Sequence, residues 1–312
     1  MNNQTSFVSL TGGLGNQLFQ LAEGLSRQNS KVVLISSLGK PRTTNGKPDL
    51  VHFDLQGISE YRQLPEASLL TRKAAGFLLR MGLDSKTIGK VRIVRATMVL
   101  LGQTLISLHV RRWVVVKVCQ GIGFSEIKPS DQEILIGYFQ HSSHSNESQV
   151  RSKLMRLAPV NHSARLLELI EKAKRELPIF LHYRFTDYLS QAHFGNLSQS
   201  YYVKALQHLD IRKRKIWVFT DDLNVCKSRF PIELSQQTYF VDDSGLHATE
   251  VLHLFRHGSD YIIANSSFSF WGAYLRFNSE ARVISPSPWF KKHGEPYKLI
   301  PDNWIRESSE WD

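Results

Sequence analysis

The second half of the chain alternates short apolar runs with helical patterns, and this alternation constrains the fold more than any other feature. The apolar runs predict strands at Ile179–Tyr183, Ile216–Thr220, Thr238–Val241, Tyr261–Ala264 and Arg282–Ser285. Helical patterns lie between them, at Ser200–Leu209, Asp222–Arg229, His247–His257 and Ser267–Phe277. Strands that alternate with helices in this way are typical of a doubly wound parallel sheet.

The N-terminal half opens with the same kind of unit. Phe7–Leu10 and Lys31–Ser36 predict strands on either side of a helix from about Gly15 to Gln28. A length of 312 residues favours two domains over one large core. We therefore predict an α/β protein with an N-terminal domain, residues 1–150, and a C-terminal domain, residues 151–312.

Composition excludes several protein classes. The chain is 42% apolar and 21% charged, which does not indicate disorder or a fibrous repeat. Its two cysteines, Cys119 and Cys226, lack the spacing of a zinc site or a disulfide framework and suit a reducing compartment. No secretory signal is visible, and no uncharged apolar run reaches the roughly 18 residues of a spanning helix. We expect a soluble cytoplasmic protein, or one held on a membrane surface.

The net charge of +11 is concentrated in one basic segment, residues 72–117, where ten Lys or Arg residues accompany a single acid, Asp84. Cations that alternate with apolar residues can lie on an anionic membrane or bind a phosphorylated partner. An amphipathic helix that packs its apolar side on the domain and exposes a solvated basic face is the structural alternative. Nucleic-acid binding is a third interpretation, for which no recognisable module is present.

Polar residues lie directly after three of the predicted strands, where open parallel sheets bind ligands. They form three clusters, at His182–Tyr188, Thr220–Asp222 and Asn265–Ser269. Arg184 carries a permanent positive charge and a planar fork of donors that suits phosphate oxygens. The sequence therefore predicts a site for a nucleotide diphosphate at this edge of the sheet.

The serines and aspartates of these clusters fit the same ligand. Ser266, Ser267 and Ser269 stand at a helix start, where free backbone N–H groups and the helix dipole bind anions. Asp221 or Asp222 can accept hydrogen bonds from guanine or bind a ribose hydroxyl. Taken singly, each cluster can also be read as a local ion pair or a helix N-cap. The hypothesis depends on their joint placement.

Six motifs follow one another along the chain, at Gly12–Gln20, Gly137–Gln140, His182–Tyr188, Tyr201–Leu206, Phe219–Asp222 and Ile262–Ala273. In their sequence and order they resemble the alpha-1,2-fucosyltransferases of glycosyltransferase family 11. Little is recognised between Phe53 and Leu135. The resemblance therefore does not extend to the basic segment.

The resemblance implies a GT-B-like fold, with two Rossmann-like domains that face a cleft. The acceptor would bind the N-terminal domain and GDP-fucose the C-terminal one. The implied reaction is the inverting transfer of L-fucose from GDP-β-L-fucose to a galactose-containing glycan, with an alpha-1,2 linkage, in surface polysaccharide or O-antigen synthesis. The expected partners are GDP-fucose, a galactose-containing saccharide such as a lipid-linked precursor, and an anionic membrane at its cytoplasmic face, but no nucleic acid.

The resemblance also implies roles for residues. Arg184 and the helix start at Asn265–Ser269 would neutralise the departing diphosphate. Because no Asp-x-Asp sequence is present, we expect neither a metal nor another cofactor. The turn with Gly13 and Gly15 meets neither the dinucleotide fingerprint nor the phosphate-loop template. It is expected to bring Asn16 across the cleft toward the reacting sugar, unless Asn16 only caps the following helix.

The group that accepts the proton of the acceptor hydroxyl stays open. Asp187, close behind Arg184, is the preferred general base, although it could instead orient Arg184. Glu23 and His182 are the alternatives. His182 could also contact the nucleotide, or be a buried histidine with satisfied hydrogen bonds.

The chain departs from the family pattern at one position that matters. Phe185 and Thr186 replace the second Arg and the Gly of the family's His-x-Arg-Arg-Gly-Asp-Tyr. His109–Trp113 imitates the start of that motif but lacks its Asp, and we assign it to the basic segment. A nucleotide-sugar-binding protein without catalysis, or a basic surface-binding module, are the rival functions.

Overall fold

The computed structural model describes residues 4–27, 30–83, 92–118, 128–143, 147–185, 194–230, 232–292, 295–296 and 298–312. The chain divides into two compact units. The first comprises Met1–Ala158 and Tyr297–Leu299, and the second comprises Pro159–Pro296 and Ile300–Asp312. None of the helices in the described ranges is long and apolar enough to cross a membrane.

The first unit is built on a five-stranded parallel sheet. Its elements are β1 (Thr5–Ser9), α1 (Leu14–Leu25), β2 (Lys31–Ile35), β3 (Thr43–Thr44), β4 (Lys47–Pro48), β5 (Glu60–Tyr61), α2 (Leu69–Leu83), α3 (Arg92–His109), β6 (Val115–Val118), β7 (Gln132–Ile136) and α4 (Ser148–Met155). The order across the sheet is β5-β2-β1-β7-β6, and β3 with β4 forms a separate hairpin. The strand order therefore reverses between β1 and β7.

Helix α1 is positioned by close packing against this sheet. Leu14, Leu18 and Leu21 recur at helical spacing and are almost fully buried. Gly24 lets the helix approach the strands, because a Cβ atom there would lie 2.7 Å from Cγ2 of Val8. The glycine-rich turn before α1 is thus held directly over the carboxyl end of β1.

The second unit is built on a six-stranded parallel sheet. Its elements are α5 (Ala164–Glu176), β8 (Ile179–Tyr183), α6 (Gln199–Gln207), β9 (Ile216–Thr220), α7 (Leu223–Arg229), β10 (Thr238–Phe240), α8 (Ala248–Phe255), β11 (Asp260–Ile262), α9 (Ser267–Tyr274), β12 (Val283–Ser287) and β13 (Ile305–Ser308). The order across the sheet is β10-β9-β8-β11-β12-β13. This is the doubly wound order, and it reverses between β8 and β11.

The predicted α/β class, with parallel sheets in both halves of the chain, is confirmed. The five strands predicted for the second half correspond to β8, β9, β10, β11 and β12. Their central members are buried on both faces, which explains why they appear in the sequence as continuous apolar runs. Strand β13 was not predicted, because this edge strand alternates half-buried and exposed positions and contains the charged pair Arg306 and Glu307.

Candidate functional site

The three predicted polar clusters come together at the carboxyl edge of the second sheet. Strands β9, β8 and β11 are neighbours, and they run parallel. Asp221 follows β9, Arg184 follows β8 and Asn265 lies just beyond β11. The last two strands are also those between which the strand order reverses, where a doubly wound sheet opens a crevice for ligands.

Arg184 is held in place by Asp221. Its Nη1 atom lies 3.0 Å from Oδ2 of Asp221, and the two side chains are 21% and 18% exposed. The other carboxylate oxygen of Asp221 accepts the backbone N–H of Phe185 at 2.9 Å. Asp221 therefore fixes both the guanidinium and the chain that leaves β8, and this contact makes it a positioning residue for Arg184.

Asp222 caps the helix that follows β9. Its Oδ1 atom accepts the N–H of Val225 at 3.0 Å, at the start of α7. The N–H of Asp222 donates to the hydroxyl of Thr220 at 3.2 Å. Asp222 therefore acts as a helix N-cap, which the sequence analysis had given as the alternative to ligand binding.

The serines at the start of α9 differ in what their hydroxyl groups contact. Ser266 is the N-cap, and its hydroxyl oxygen accepts the N–H of Phe268 at 3.3 Å. Ser269 is fully buried, and its hydroxyl donates to the carbonyls of Ala264 and Ser266. Its predicted contact with a ligand is therefore corrected to a local structural role. Ser267 is half-buried at the first helical position.

Asn265 joins the start of α9 to a neighbouring segment. Its side chain is almost fully buried, and its amide nitrogen donates to the carbonyls of Phe194 and Gly195, at 3.2 Å each. Gly195 has a φ of +78°, and a Cβ atom there would lie 2.6 Å from the ring of Trp311. The amide nitrogen of Asn265 thus holds the segment at Phe194 and Gly195 against the start of α9. The sequence had instead predicted that Asn265 contacts the ligand.

His182 lies beneath the site as a buried ring that stacks on Phe268, with 6.0 Å between the ring centroids. Burial lowers the pKa of His182 to about 3, and Arg184 acts in the same direction while Asp221 opposes it. Its Nδ1 atom is buried and finds no hydrogen-bond partner among the described residues. A group with so low a pKa is a weak base, which disfavours His182 as the proton acceptor.

Two tyrosines of α6 support the strand ends that form the site, a role that sequence reasoning missed. The hydroxyl of Tyr202 donates to the carbonyl of His182 at 3.1 Å, and that of Tyr201 donates to the carbonyl of Ile263 at 2.8 Å. Burial keeps the pKa of both phenols well above its usual value, so both remain donors. In the sequence, the only sign of this role is the pair of adjacent tyrosines in a helical pattern. Their hydrogen-bond partners are backbone carbonyls, which no side-chain pattern reveals.

The glycine turn of the first unit places Asn16 in the first turn of α1. Gly12 has a φ of +72°, and a Cβ atom there would lie 2.6 Å from Nδ2 of Asn16. Gln140, which follows β7, donates to Oδ1 of Asn16 at 2.7 Å. The N-cap is Gly13 and no side chain caps this helix, so Asn16 does not cap it. Gly15 is buried in the same turn.

Two glutamines of the same motif hydrogen-bond backbone groups around the glycine turn, and one of them, Gln20, also reaches the end of β7. Gln20 accepts the N–H of Thr11 at 3.0 Å and donates to the carbonyl of Gly137 at 2.9 Å. Gln17 donates to the carbonyl of Gly12 at 2.9 Å. The motifs that follow β1 and β7 therefore meet where the strand order of the first sheet reverses.

The remaining candidates for the proton acceptor are Asp187 and Glu23. Asp187 and Thr186 lie outside the described residues. Glu23 is 2% exposed and pairs with Arg27 at 2.6 Å and with His141 at 3.3 Å, inside the first unit. This buried network removes Glu23 from the alternatives. Within the described ranges, no group of three or more His, Cys, Asp or Glu side chains is placed to hold a metal ion.

The basic segment forms most of α2 and α3, which pack on the first sheet. Ala75, Leu78 and Ile106 are buried in its core, as the amphipathic interpretation predicts. The described part of the chain exposes thirteen large apolar side chains, however, and eight of them lie between Leu69 and Trp113. A solvated basic face alone does not account for this concentration of exposed apolar surface.

The edge of the second sheet has the chemistry of a diphosphate site. A guanidinium held by a carboxylate and the start of a helix lie at adjacent strand ends. Such groups bind phosphate oxygens by charge-assisted hydrogen bonds and by the helix dipole.

Comparison with known proteins finds similarity to glycosyltransferases. The sequence model of Glycosyl transferase family 11 matches residues 126–307. An alpha-1,2-colitosyltransferase of Escherichia coli is 25% identical, over 95% of this chain and 97% of that protein. The O-antigen biosynthesis glycosyltransferase WbnK of Escherichia coli is 32% identical, over 40% of this chain and 43% of that protein. Among solved structures, the fucosyltransferase NodZ from Bradyrhizobium gives a TM-score of 0.46 at 12% identity, covering 88% of this chain and 94% of that chain. Because the family match spans more than half of the sequence, this chain belongs to glycosyltransferase family 11.

Proposed function

We propose that the protein transfers L-fucose from GDP-β-L-fucose, with inversion, to a galactose-containing glycan through an alpha-1,2 linkage. The observation that carries the proposal is the meeting of Arg184 and the start of α9 at the ends of β8 and β11. The family resemblance supports GDP-fucose as the donor. The name of the colitosyltransferase relative supports the alpha-1,2 linkage.

Arg184 and the N–H groups at Ser267 would bind the diphosphate oxygens of the donor. As the bond from the sugar to the diphosphate breaks, negative charge grows on GDP, and these groups stabilise it without rearranging. Asp221 holds the guanidinium, while Tyr201 and Tyr202 hold the strand ends. The positive groups would therefore act without a metal ion.

Inversion requires the acceptor hydroxyl to attack the anomeric carbon from the face opposite GDP. That hydroxyl loses its proton during the attack, and Asp187 is our proposed acceptor of the proton. Asn16 is our proposed contact to the reacting sugars. Replacing Asp187 by Asn should lower kcat and leave GDP binding unchanged, whereas loss of GDP binding would indicate that Asp187 orients Arg184.

We further place the reaction at the cytoplasmic face of a membrane, in O-antigen or other surface polysaccharide synthesis. Support comes from the exposed apolar residues of α2 and α3, such as Leu69, from exposed cations of α2, such as Lys73, and from the name of the WbnK relative. Sedimentation with vesicles of anionic phosphatidylglycerol should retain the protein more strongly than sedimentation with neutral phosphatidylcholine. Equal retention on both would contradict this placement.

The reaction is tested with a panel of GDP-sugars and a β-galactoside acceptor, followed by NMR analysis of the product linkage. We expect alpha-1,2 transfer from GDP-fucose, with the same rate in the presence of a chelator. The GDP-activated form of colitose belongs in the panel, because the relative's name makes colitose the second candidate sugar. Binding of GDP-fucose without turnover would favour a non-catalytic nucleotide-sugar-binding protein.

A further inference from the structure

A pocket of about 1060 Å³ lies within the first unit, at the carboxyl edge of its sheet. The residues after β2 form one wall, with Ser36 and Ser37, and Tyr61 at the end of β5 continues it. The hydroxyls of Ser36 and Tyr61 are hydrogen-bonded at 2.9 Å. Ser36, Ser37 and Tyr61 give this wall several hydroxyl groups, which suit a saccharide.

One face of α2 forms the opposite wall. Leu69, Arg72, Lys73, Gly76 and Phe77 recur at helical spacing and line the pocket. Leu69 is 63% exposed and Phe77 is 40% exposed, although both are large and apolar. A Cβ atom at Gly76 would meet nothing within 4 Å, so this glycine leaves space in the pocket. This wall therefore presents both positive charges and exposed apolar side chains to the pocket.

The charge of the pocket is positive. Its charged lining residues are Lys40, Arg72, Lys73 and a single acid, Glu66. Glu66 pairs with Arg72 at 3.3 Å, but it is 86% exposed, and such surface pairs are weak. The pocket therefore favours an anionic ligand.

The pocket is joined to the glycine turn that carries Asn16. The N–H of Gly12 donates to the carbonyl of Lys40 at 3.0 Å, and the N–H of Arg42 donates to the carbonyl of Gly12 at 2.8 Å. The rim of the pocket and the turn are thus one hydrogen-bonded structure. A ligand in the pocket would lie beside the residue that we propose contacts the reacting sugars.

We propose that this pocket binds the acceptor, a saccharide whose reducing end carries phosphate groups and a hydrocarbon chain. The saccharide lies against the hydroxyl wall, the phosphates lie against Lys40, Arg72 and Lys73, and the chain follows Leu69 and Phe77. This inference rests on the proposed function, because it names the acceptor of that reaction.

Three synthetic acceptors with the same galactose-ended saccharide test the proposal. One is a neutral methyl glycoside, one carries a diphosphate, and one carries a diphosphate with a short alkyl chain. With saturating GDP-fucose, kcat/KM should rise about tenfold with the diphosphate and about tenfold again with the chain. Equal kcat/KM for the three acceptors would overturn the proposal, while the absence of any transfer would refute the proposed function instead.

Calorimetric titration of the alkyl diphosphate acceptor, without any donor, distinguishes a failure of this proposal from a failure of the proposed function. The pocket predicts binding that is lost in the double variant Arg72→Gln, Lys73→Gln. A control variant, Lys128→Gln with Arg156→Gln, changes the charge equally at exposed residues of the same unit that do not line the pocket. Undiminished binding by the first variant, or an equal loss in the control, would overturn the proposal.

The same variants separate the phosphate contacts from the rest of the pocket. Arg72→Gln with Lys73→Gln should raise the KM of both diphosphate acceptors about tenfold and leave that of the neutral acceptor unchanged. Gly76→Leu should raise the KM of all three, since its side chain enters the pocket and a leucine favours the helix. Unchanged KM values in Gly76→Leu would show that the acceptor binds elsewhere.

Discussion

The carboxyl edges of the two sheets differ in how firmly their polar groups are held. In the second unit, Asp221 fixes Arg184, and two buried tyrosines hold the strand ends. In the first unit, the edge opens into a pocket whose Leu69 and Lys73 are exposed. A firmly held edge suits a ligand whose charge must be met at fixed positions, as a leaving diphosphate requires. An open edge suits a larger ligand that is bound by several weak contacts.

Removing the guanidinium of Arg184 should have the largest effect on the second edge. Arg184→Ala should lower kcat about 10²- to 10³-fold, as the loss of one fixed donor to a developing negative charge does in other enzymes. Thermal unfolding should change little, because the side chain is partly exposed. The measurement is the initial rate of GDP release with a galactoside acceptor.

Arg212→Ala is the matched control, since Arg212 is 86% exposed and pairs only locally with Asp210 among the contacts described. It should retain the full rate. Near-normal turnover in Arg184→Ala would contradict the role of the second edge.

Acid should destabilise the second unit. Burial lowers the pKa of His182 and His253 to about 3 and that of His257 to about 4. The unfolded chain binds protons below its ordinary pKa of about 6.5, and the folded unit does not. Stability is therefore complete above pH 6.5 and decreases as the pH falls toward 4, by up to about 1.4 kcal/mol per pH unit for the proton of the buried His182 and by less for those of the half-buried His253 and His257.

Hydrogen exchange of the amides of β8 and β11 measures this effect in the second unit alone. Their protection, corrected for the intrinsic pH dependence of exchange, should be lower at pH 5 than at pH 7.5. His253→Leu should weaken the dependence, because it removes one of the protons. Equal protection at the two pH values would contradict the burial of these histidines.

A pair of glycine substitutions compares the packing of the two units. Gly272 lies where α9 meets α8, and a Cβ atom there would lie 2.4 Å from Cδ1 of Phe255. Gly272→Ala should therefore lower the free energy of unfolding by about 1–3 kcal/mol. Gly76→Ala, in open space on α2, should raise it by about 0.5–1 kcal/mol.

Urea denaturation of both variants measures these changes, with the wild type as reference. The same sign for both substitutions would show that the two helices do not differ in packing as described.

Weakening the ion pair between Asp221 and Arg184, without removing the guanidinium, should have a smaller effect. Asp221→Asn keeps an oxygen for the N–H of Phe185 but loses the charge that pairs with Arg184. We expect kcat/KM to fall about tenfold, with thermal stability close to that of the wild type. A loss as large as that of Arg184→Ala would assign Asp221 a direct contact with the donor.

The sequence was sufficient to predict five of the six strands of the second sheet and the edge at which the candidate residues lie. Its strands are apolar runs because the sheet is covered on both faces, and parallel strands bring the residues that follow them to one edge. The contact between Arg184 and Asp221 was not predictable, since it depends on which strands are neighbours. In the sequence, Ser269 could not be distinguished from Ser266 and Ser267. It lies one helical turn after Ser266, however, and its hydroxyl points into the core.

The first unit was less predictable. Its basic segment has a pattern that fits packed helices and surface helices equally well, and both descriptions apply to α2. The pocket depends on how α2 lies against the ends of β2 and β5, which no local pattern encodes. The contact of Gln140 with Asn16 likewise joins residues that are distant in the chain.

A crystal structure of the protein with GDP bound would locate the diphosphate at one of the two sheets. We predict diphosphate oxygens at hydrogen-bond distance, about 3 Å, from the guanidinium of Arg184 and from the N–H of Ser267. Density for the diphosphate at any other edge of either sheet would contradict the account.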